Sequence, residues 1–337
     1  MITKFKVKDF TAFSELQLHF NQGINVLIGE NGTGKTHVMK AIYAACCVVD
    51  KRNDRTFDQK LKSVFQPLSI GRLVHRHIGR GSGKVSIYRL NENGKESYIS
   101  CMITTVGKTE VVSSGWKEEN KLEAIFIPVK DMLANAPGFR ALYSQKELSY
   151  EEVYADIIDK AFLPIPRGKQ DPKVTHLLNI LKGAISGRVV EKKENFYLKN
   201  KSGELEFPLL AEGYRKLGLL YTLIHNGTLT KGSILFWDEP EANLNPKLAK
   251  IVVRILLELQ RWGVQIFVST HDYVLLKEFQ MEAKENDSLQ YISLYRDQSG
   301  EIQYSATSQI EQIEHNAIDD AYTDILDREI NNQFKGL

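Results

Sequence analysis

Residues 29 to 36 read Gly29-Glu30-Asn31-Gly32-Thr33-Gly34-Lys35-Thr36, a G-x-x-x-x-G-K-T loop. Glycines at those spacings let backbone N–H groups turn toward a phosphate, and a helix expected from His37 to Ala45 presents its positive end to the same anion. Lys35 and Thr36 then reach the β- and γ-phosphates and a magnesium ion, so Gly29 to His37 form the candidate nucleotide cradle. A ligand-free glycine turn would not call for Lys-Thr at that offset.

Two further clusters decide what such a loop would do. Ser233-Ile234-Leu235-Phe236-Trp237 is an apolar run of strand length that ends in Asp238-Glu239-Pro240-Glu241. Carboxylates at the carboxyl end of a buried strand sit where ligands of open α/β sheets bind. Asp238 is suited to hold magnesium and Glu239 to orient or deprotonate an attacking water. A second buried-strand candidate, Val264 to Val268, closes on Ser269-Thr270-His271-Asp272 after an amphipathic stretch from Leu248 to Trp262. That order places His271 near the γ-phosphate rather than in a purely structural role.

The set G-x-N-G-x-G-K-T, apolar-Asp-Glu-Pro, Asn243-Leu244-Asn245-Pro246 and Ser-Thr-His-Asp resembles the ABC-type ATPases. Within them it is most similar to the RecF/SMC/OLD-like branch, which includes small AAA-family ATPases of bacterial anti-phage systems. The resemblance covers roughly residues 1–50 and 205–280. It implies a head that hydrolyses ATP with Mg2+ when two copies sandwich two nucleotides, each offering a signature loop to the other's γ-phosphate.

By that resemblance the signature is Leu210-Ala211-Glu212-Gly213-Tyr214-Arg215, ahead of a helix from Tyr214 to His225. It departs from Leu-Ser-Gly-Gly-Gln: Ala211 replaces the serine hydroxyl and Glu212 the first glycine. Gly213 and the helix amino end still offer backbone donors. Arg215 either supplies charge in trans or is a solvated helix residue. Asn245 stands where transporters carry an aspartate, which implies weaker coupling between sites and slow turnover. The glutamine loop is left between Gln66 and the segment after Ile125-Phe126-Ile127-Pro128.

The elements that must position these residues give an α/β expectation. The phosphate loop and the acidic strand must share one sheet although nearly 200 residues separate them. With the resemblance, this implies the fold class of a P-loop NTPase of ABC-ATPase head type. It has a central mixed or parallel sheet with helices on both faces, an N-terminal antiparallel β subdomain and an inserted α-helical lobe. Residues 1–337 make one composite head: an N-terminal lobe (1–128), the helical insert (129–186), a segment with signature, acidic strand and histidine (187–280), and a C-terminal strand pair and helix (281–337).

Strands are expected over Ile2 to Leu18, then Val85 to Tyr88 and Glu96 to Ile103 around Asn93-Gly94. Helices are expected over Glu147 to Phe162 and Lys173 to Ile185, broken by Pro164, Pro166 and Gly168. A hairpin, Arg188 to Leu198 and Glu204 to Leu209, turns at Lys201-Ser202-Gly203. After His271 come strands Leu289 to Tyr295 and Ile302 to Tyr304 and a docked acidic helix between Ile310 and Phe334. No heptad run suggests long coiled arms. Nothing after residue 280 has the length or carboxylate clusters of a fused nuclease.

Formal net charge is only +2 in 337 residues, and no apolar run approaches the ~20 residues that span a bilayer. With no signal-peptide pattern, a cytoplasmic protein without membrane contact is expected. Cys46, Cys47 and Cys101 have neither metal nor disulfide spacing and read as reduced core thiols. Basic residues gather at Lys51, Arg52, Arg55, Arg72, His75, Arg76, His77 and Arg80. The run either tracks a nucleic-acid backbone or forms a solvated face, and the glycine stretch Gly79 to Lys84 reads as a hairpin turn.

The resemblance implies a switch that dimerises through ATP and restrains or delivers a separate effector such as a nuclease or toxin in an anti-phage system. A RecF-like DNA-repair ATPase is the alternative, and a transporter subunit the least fitting.

Overall fold

The computed structural model describes residues 1–335 apart from 77–78, 92, 119–121 and 146–148. Strands β1 (Ile2–Phe10) and β2 (Phe13–His19) open the chain, and β3 (Ile24–Gly29) leads through the phosphate loop into α1 (Lys35–Cys46) and then α2 (Phe57–Phe65). Alternation along β1 puts Phe5 and Val7 inside and Lys6 and Lys8 outside, as a half-buried strand requires. With β4 (Ser82–Leu90), β5 (Glu96–Thr104) and β6 (Thr109–Ser114) they form an antiparallel sheet in the order β2-β1-β4-β5-β6. Its inner face packs on α1 through Phe5, Phe10, Phe13 and Ile87.

The central sheet runs β14-β13-β3-β12-β11-β7. Here β7 is Ala124–Ile127, β11 Ile234–Asp238 and β12 Gln265–Ser269. β13 is Leu289–Arg296 and β14 Ile302–Thr307. β7, β11, β12, β3 and β13 are mutually parallel, and β14 closes the edge antiparallel to β13. β3, β11 and β12 are buried at every residue, which is why they read as continuous apolar runs. The phosphate-loop strand and the acidic strand lie on either side of the histidine strand, as the shared-sheet argument required.

Between β7 and β11 the chain forms α3 (Phe139–Ser144), α4 (Glu152–Ala161) and α5 (Pro172–Ala184). A small sheet β10-β9-β8 follows: β8 (Arg188–Lys192), β9 (Asn195–Asn200) and β10 (Gly203–Glu206). Next comes α6 (Glu212–His225). Asp171 caps α5 by accepting from the Lys173 N–H, with Pro172 at the first helical position. α7 (Ala249–Trp262) joins β11 to β12 and ends on Gly263 in the left-handed region. α8 (Tyr273–Glu282) is capped by Asp272, whose carboxylate accepts from the Leu275 N–H at 2.6 Å. α9 spans Ala317–Lys335.

Several expectations change. The first expected helix begins at Glu152 rather than Glu147, and residues 147–148 lie outside those described. The single strand from Arg188 to Leu198 is two strands, because Lys193 and Glu194 take positive φ and make a turn of their own. Ser82 to Lys84 belong to β4 rather than to a hairpin turn, and a Cβ on Gly83 would stand 1.9 Å from the Asp9 carbonyl. α9 docks only by its start: Ile318 is buried and Tyr322 stacks on Tyr273, but Ile325, Leu326 and Ile330 are exposed. The three cysteines are free, and burial pushes the Cys46 thiol up to about 12. Among the described residues no helix is long and apolar enough to cross a membrane.

Candidate functional site

The loop between β3 and α1 has the backbone its sequence demands. Gly34 sits at φ 93° with the Phe13 ring over it, where a Cβ would come within 2.4 Å of that ring. Gly29, at φ 139°, has the Leu294 carbonyl 2.2 Å from where a Cβ would stand. Thr33 closes the loop, its hydroxyl donating to the Glu30 carbonyl at 2.8 Å. The first N–H groups of α1 have no intrahelical acceptor and face the loop's mouth. Glu30, Asn31 and Gly32 are exposed along its rim.

Lys35 is only 6% exposed, and its ammonium donates to the carbonyls of Gly29 at 2.7 Å and Glu30 at 3.0 Å. Burial lowers its pKa, and the carboxylates of Glu239 and Asp238 oppose that shift. The Thr36 hydroxyl lies 3.0 Å from both oxygens of Asp238, at the end of β11. Burial raises the Asp238 pKa, while hydrogen bonds from Ser269 and Thr36 hold the carboxylate form. A hydroxyl and a carboxylate facing each other beside a phosphate cradle are the hard oxygen ligands magnesium takes, so the residues fit that ion.

Glu239 follows with φ 47°, a left-handed conformation that costs a non-glycine residue of order 1–3 kcal/mol. The turn is held from both sides. The Glu239 N–H donates to the Ser269 carbonyl at 3.1 Å, and the Lys216 ammonium donates to the carbonyls of Ala242 at 2.5 Å and Glu239 at 3.4 Å. His271, half-exposed at the end of β12, places Nδ1 3.4 Å from a Glu239 carboxylate oxygen. Glu241 turns back beneath it: its carboxylate accepts from the Thr270 hydroxyl at 2.7 Å and the His271 N–H at 3.2 Å. Burial raises the Glu241 pKa.

The structure thus gathers Lys35, Thr36, Asp238, Glu239 and His271 at the carboxyl ends of three adjacent strands. His37 is placed otherwise: its ring packs on Phe65 at 5.4 Å, and burial lowers its pKa to about 4, so only its backbone faces the phosphate side. The signature residues stand apart. Glu212 accepts from the Asn243 amide at 2.9 Å, Gly213 is packed against Leu244, and Arg215 pairs with buried Asp131 at 3.1 Å. None of these contacts reaches the phosphate loop of the same chain. Asn245 spends its side-chain oxygen capping the turn Pro246–Leu248, accepting from the Lys247 N–H at 3.0 Å.

Sequence reasoning missed Ser269, Glu241, Lys216 and Arg296. Ser269 and Glu241 lie inside the quoted motifs and could have been found there. Lys216 is a helix position with no motif signal, and Arg296, whose guanidinium donates to the Gly32 carbonyl at 3.1 Å, reaches the loop from β13, the neighbour of β3 in the sheet but distant in sequence. Of the two glutamine-loop candidates, Gln66 caps α2 and donates to the Ser149 hydroxyl at 3.1 Å, and the segment after β7 supplies Asp131. The basic run is divided: Arg52 pairs with Asp50 and Arg55 with Glu152, Arg72, Arg76 and Arg80 are exposed, and His77 lies outside the described residues.

Two family models match the chain, one described as "AAA domain, putative AbiEii toxin, Type IV TA system" over residues 108–277 and one as "AAA domain" over residues 4–157. The DNA replication and repair protein RecF of Oenococcus oeni is 25% identical over 224 residues, 64% of this chain and 48% of that protein. RecF of Streptococcus suis is 30% identical over 100 residues, 29% of this chain and 26% of that protein. The chain therefore spans about half or less of the length of the curated relatives it matches. Among solved structures, an SMC head bound to the C-winged helix domain of ScpA superposes with a TM-score of 0.60 at 15% identity, covering 92% of this chain and 98% of that one. The SMC head domain from Thermotoga maritima gives 0.52 at 14%, covering 91% and 99%. These likenesses establish the fold of an SMC head.

Proposed function

We propose that this chain, which belongs to the AAA-domain family with the AbiEii-type description and has the fold of the ABC-type RecF/SMC-like ATPases, is an ATP-hydrolysing switch that closes as a dimer. One observation carries the reading. Lys35, Thr36, Asp238, Glu239 and His271 converge on one sheet edge, whereas Glu212, Gly213 and Arg215 are held off it by Asn243, Leu244 and Asp131. A half-site with its completing loop elsewhere is what a second copy would complete.

In this reading Gly29 to Thr36 and the first N–H groups of α1 bind the phosphates, and Lys35 exchanges its two carbonyl acceptors for phosphate oxygens. Thr36 and Asp238 hold magnesium, which would neutralise charge building on the phosphates. Glu239 orients and deprotonates water, and His271 fixes the Glu239 carboxylate and senses the γ-phosphate. Asn245, lacking the aspartate charge, leaves the two sites weakly coupled and turnover slow. Residues 129–186 serve as an inserted lobe that carries specificity, joined to the signature helix by the Asp131–Arg215 pair.

The output of the switch is a separate effector, such as a nuclease or toxin of an anti-phage system. The support for a partner is that an SMC head of this fold is bound to another protein, the C-winged helix domain of ScpA; the family description applies the word toxin to the AAA domain itself. The test is capture of tagged Glu239→Gln from its host with ATP and magnesium. A stoichiometric protein with nuclease or toxin features supports the reading, and DNA without a protein partner overturns it.

A second reading, a RecF-like ATPase that contacts DNA itself, is favoured by the outer face of the N-terminal sheet. Lys4, Lys6 and Lys8 of β1 and Lys84 of β4 project there, none in a described ion pair, and Tyr88 lies beside Tyr98 with ring centroids 5.8 Å apart. Cations beside half-buried rings suit a nucleic-acid backbone and its bases. Salt-dependent DNA binding lost on Lys6→Glu/Lys8→Glu would support it, and unchanged binding would remove this surface from it.

A further inference from the structure

Two unpartnered surfaces stand at opposite edges of the central sheet. One is the far part of α9, where Ile325, Leu326 and Ile330 are 43%, 56% and 50% exposed on a stretch that also carries Asp324, Asp327 and Glu329, with Arg328 paired to Asp324 at 2.9 Å. The other is a cavity of about 560 Å³ between the end of α4, β8 and the end of α6. Phe162, Val189 and Phe196 floor it, the exposed Leu163 and Ile165 border it, and Lys182 and Arg188 stand on its rim in no described ion pair. The rim also holds Glu191, which is occupied in accepting from the Glu194 N–H. Burial lowers the pKa of His225 in this wall, and Lys182 and Arg188 lower it further, as expected of an imidazole with two cations near it.

Within one chain the two stand apart. α9 is fixed at its base to α8 by the Tyr273–Tyr322 stack, with Ile318 buried and the Ser293 hydroxyl of β13 donating to the His315 carbonyl just ahead of it, whereas the groove lies beside α4, which packs on β7 at the other edge. Four strand spacings separate β13 from β7, about 19 Å. The groove is also at the far end of α6 from the signature loop, a helix of 14 residues and so about 21 Å long, and stays open when that loop is engaged.

We propose that the acidic apolar end of α9 from one copy occupies the basic apolar groove of a second copy, a head-to-tail contact distinct from the nucleotide sandwich. Apolar side chains fill the floor, and the acidic residues of the helix meet the field of Lys182 and Arg188. Because helix and groove are different patches, the contact is heterologous and links copies into a ring or a chain rather than a symmetric pair.

The experiment is sedimentation velocity of the full chain without nucleotide, which removes the sandwich as a cause of association. The sedimentation coefficient rises with concentration for the parent and falls back with added salt. Ile325→Asp/Leu326→Asp and Lys182→Glu/Arg188→Glu each sediment as monomers. Mixed together, the two double variants form a 1:1 dimer and nothing larger, because one sound helix and one sound groove remain between them. A parent that stays monomeric to about 100 µM, the weak end of protein contacts, overturns the proposal, as does a mixture that stays monomeric. Association of the groove variant by itself, with the helix variant monomeric, points to symmetric α9 pairing instead. Association that survives the groove variant overturns it too, and Ile330→Lys tests the helix should the double change impair folding.

Discussion

The hydroxyl of Thr36 lies 3.0 Å from each carboxylate oxygen of Asp238, across 202 residues of sequence. Two strands had to be laid on either side of a third to bring them there. Asp238→Asn keeps the shape and removes the charge that a cation needs. Nucleotide binding in EDTA should persist, its strengthening by magnesium should vanish, and hydrolysis should fall at least about 100-fold, about 2.7 kcal/mol of transition-state stabilisation. Equal response of Asp238→Asn and the parent to magnesium in a fluorescent-nucleotide titration would remove Asp238 from the metal site.

Lys216 fixes the turn that carries Glu239 through two carbonyl acceptors, and burial lowers its own pKa. Charge-assisted bonds contribute about 1.5–3 kcal/mol, so Lys216→Met should slow hydrolysis about 10- to 100-fold while ATP affinity stays within a few-fold. A loss of affinity equal to the loss of rate would mean that Lys216 supports binding rather than the turn.

Arg215 is tied to Asp131, whose side chain is 1% exposed and whose pKa burial raises. Arg215→Ala strands that carboxylate, and uncompensated buried charges cost about 3–5 kcal/mol. The midpoint of thermal unfolding should therefore drop by several degrees without nucleotide, and Asp131→Asn in the same chain should restore most of it. An unchanged midpoint would mean that Arg215 acts only toward a second copy.

The motifs were legible because each couples a loop to a buried strand: the runs Ile24 to Ile28, Ser233 to Trp237 and Val264 to Val268 fall on β3, β11 and β12, with ends that differ by at most one residue. Element ends were less legible where a turn rests on non-glycine residues. Lys193 and Glu194 carry no turn signal yet take positive φ, and Gly83 looks like a turn but is a strand position pressed against a neighbouring carbonyl. His37 was misjudged because helix position alone does not tell which way a ring points. The roles of Lys216 and Arg296 depend on contacts between distant segments that no spacing records.

His37 gives a pH signature. Its folded pKa of about 4 lies below the ordinary 6.5, so the unfolded chain binds the proton more readily between those values. Stability from this group is complete above pH 6.5 and is lost as pH falls toward 4, at most about 3 kcal/mol. His37→Gln should flatten denaturant stability across that window, and an unchanged slope would place the titration elsewhere.

The central claim is that nucleotide closes two copies around the Glu239 site. Sedimentation velocity of Glu239→Gln carrying Lys182→Glu/Arg188→Glu, with and without ATP and magnesium, tests it most directly, because the groove changes remove nucleotide-independent association. The account predicts a shift from monomer to a dimer that persists for hours with ATP, reverses in EDTA and is lost on adding Lys35→Ala. A monomer under saturating ATP and magnesium, with nucleotide shown to be bound, would contradict it.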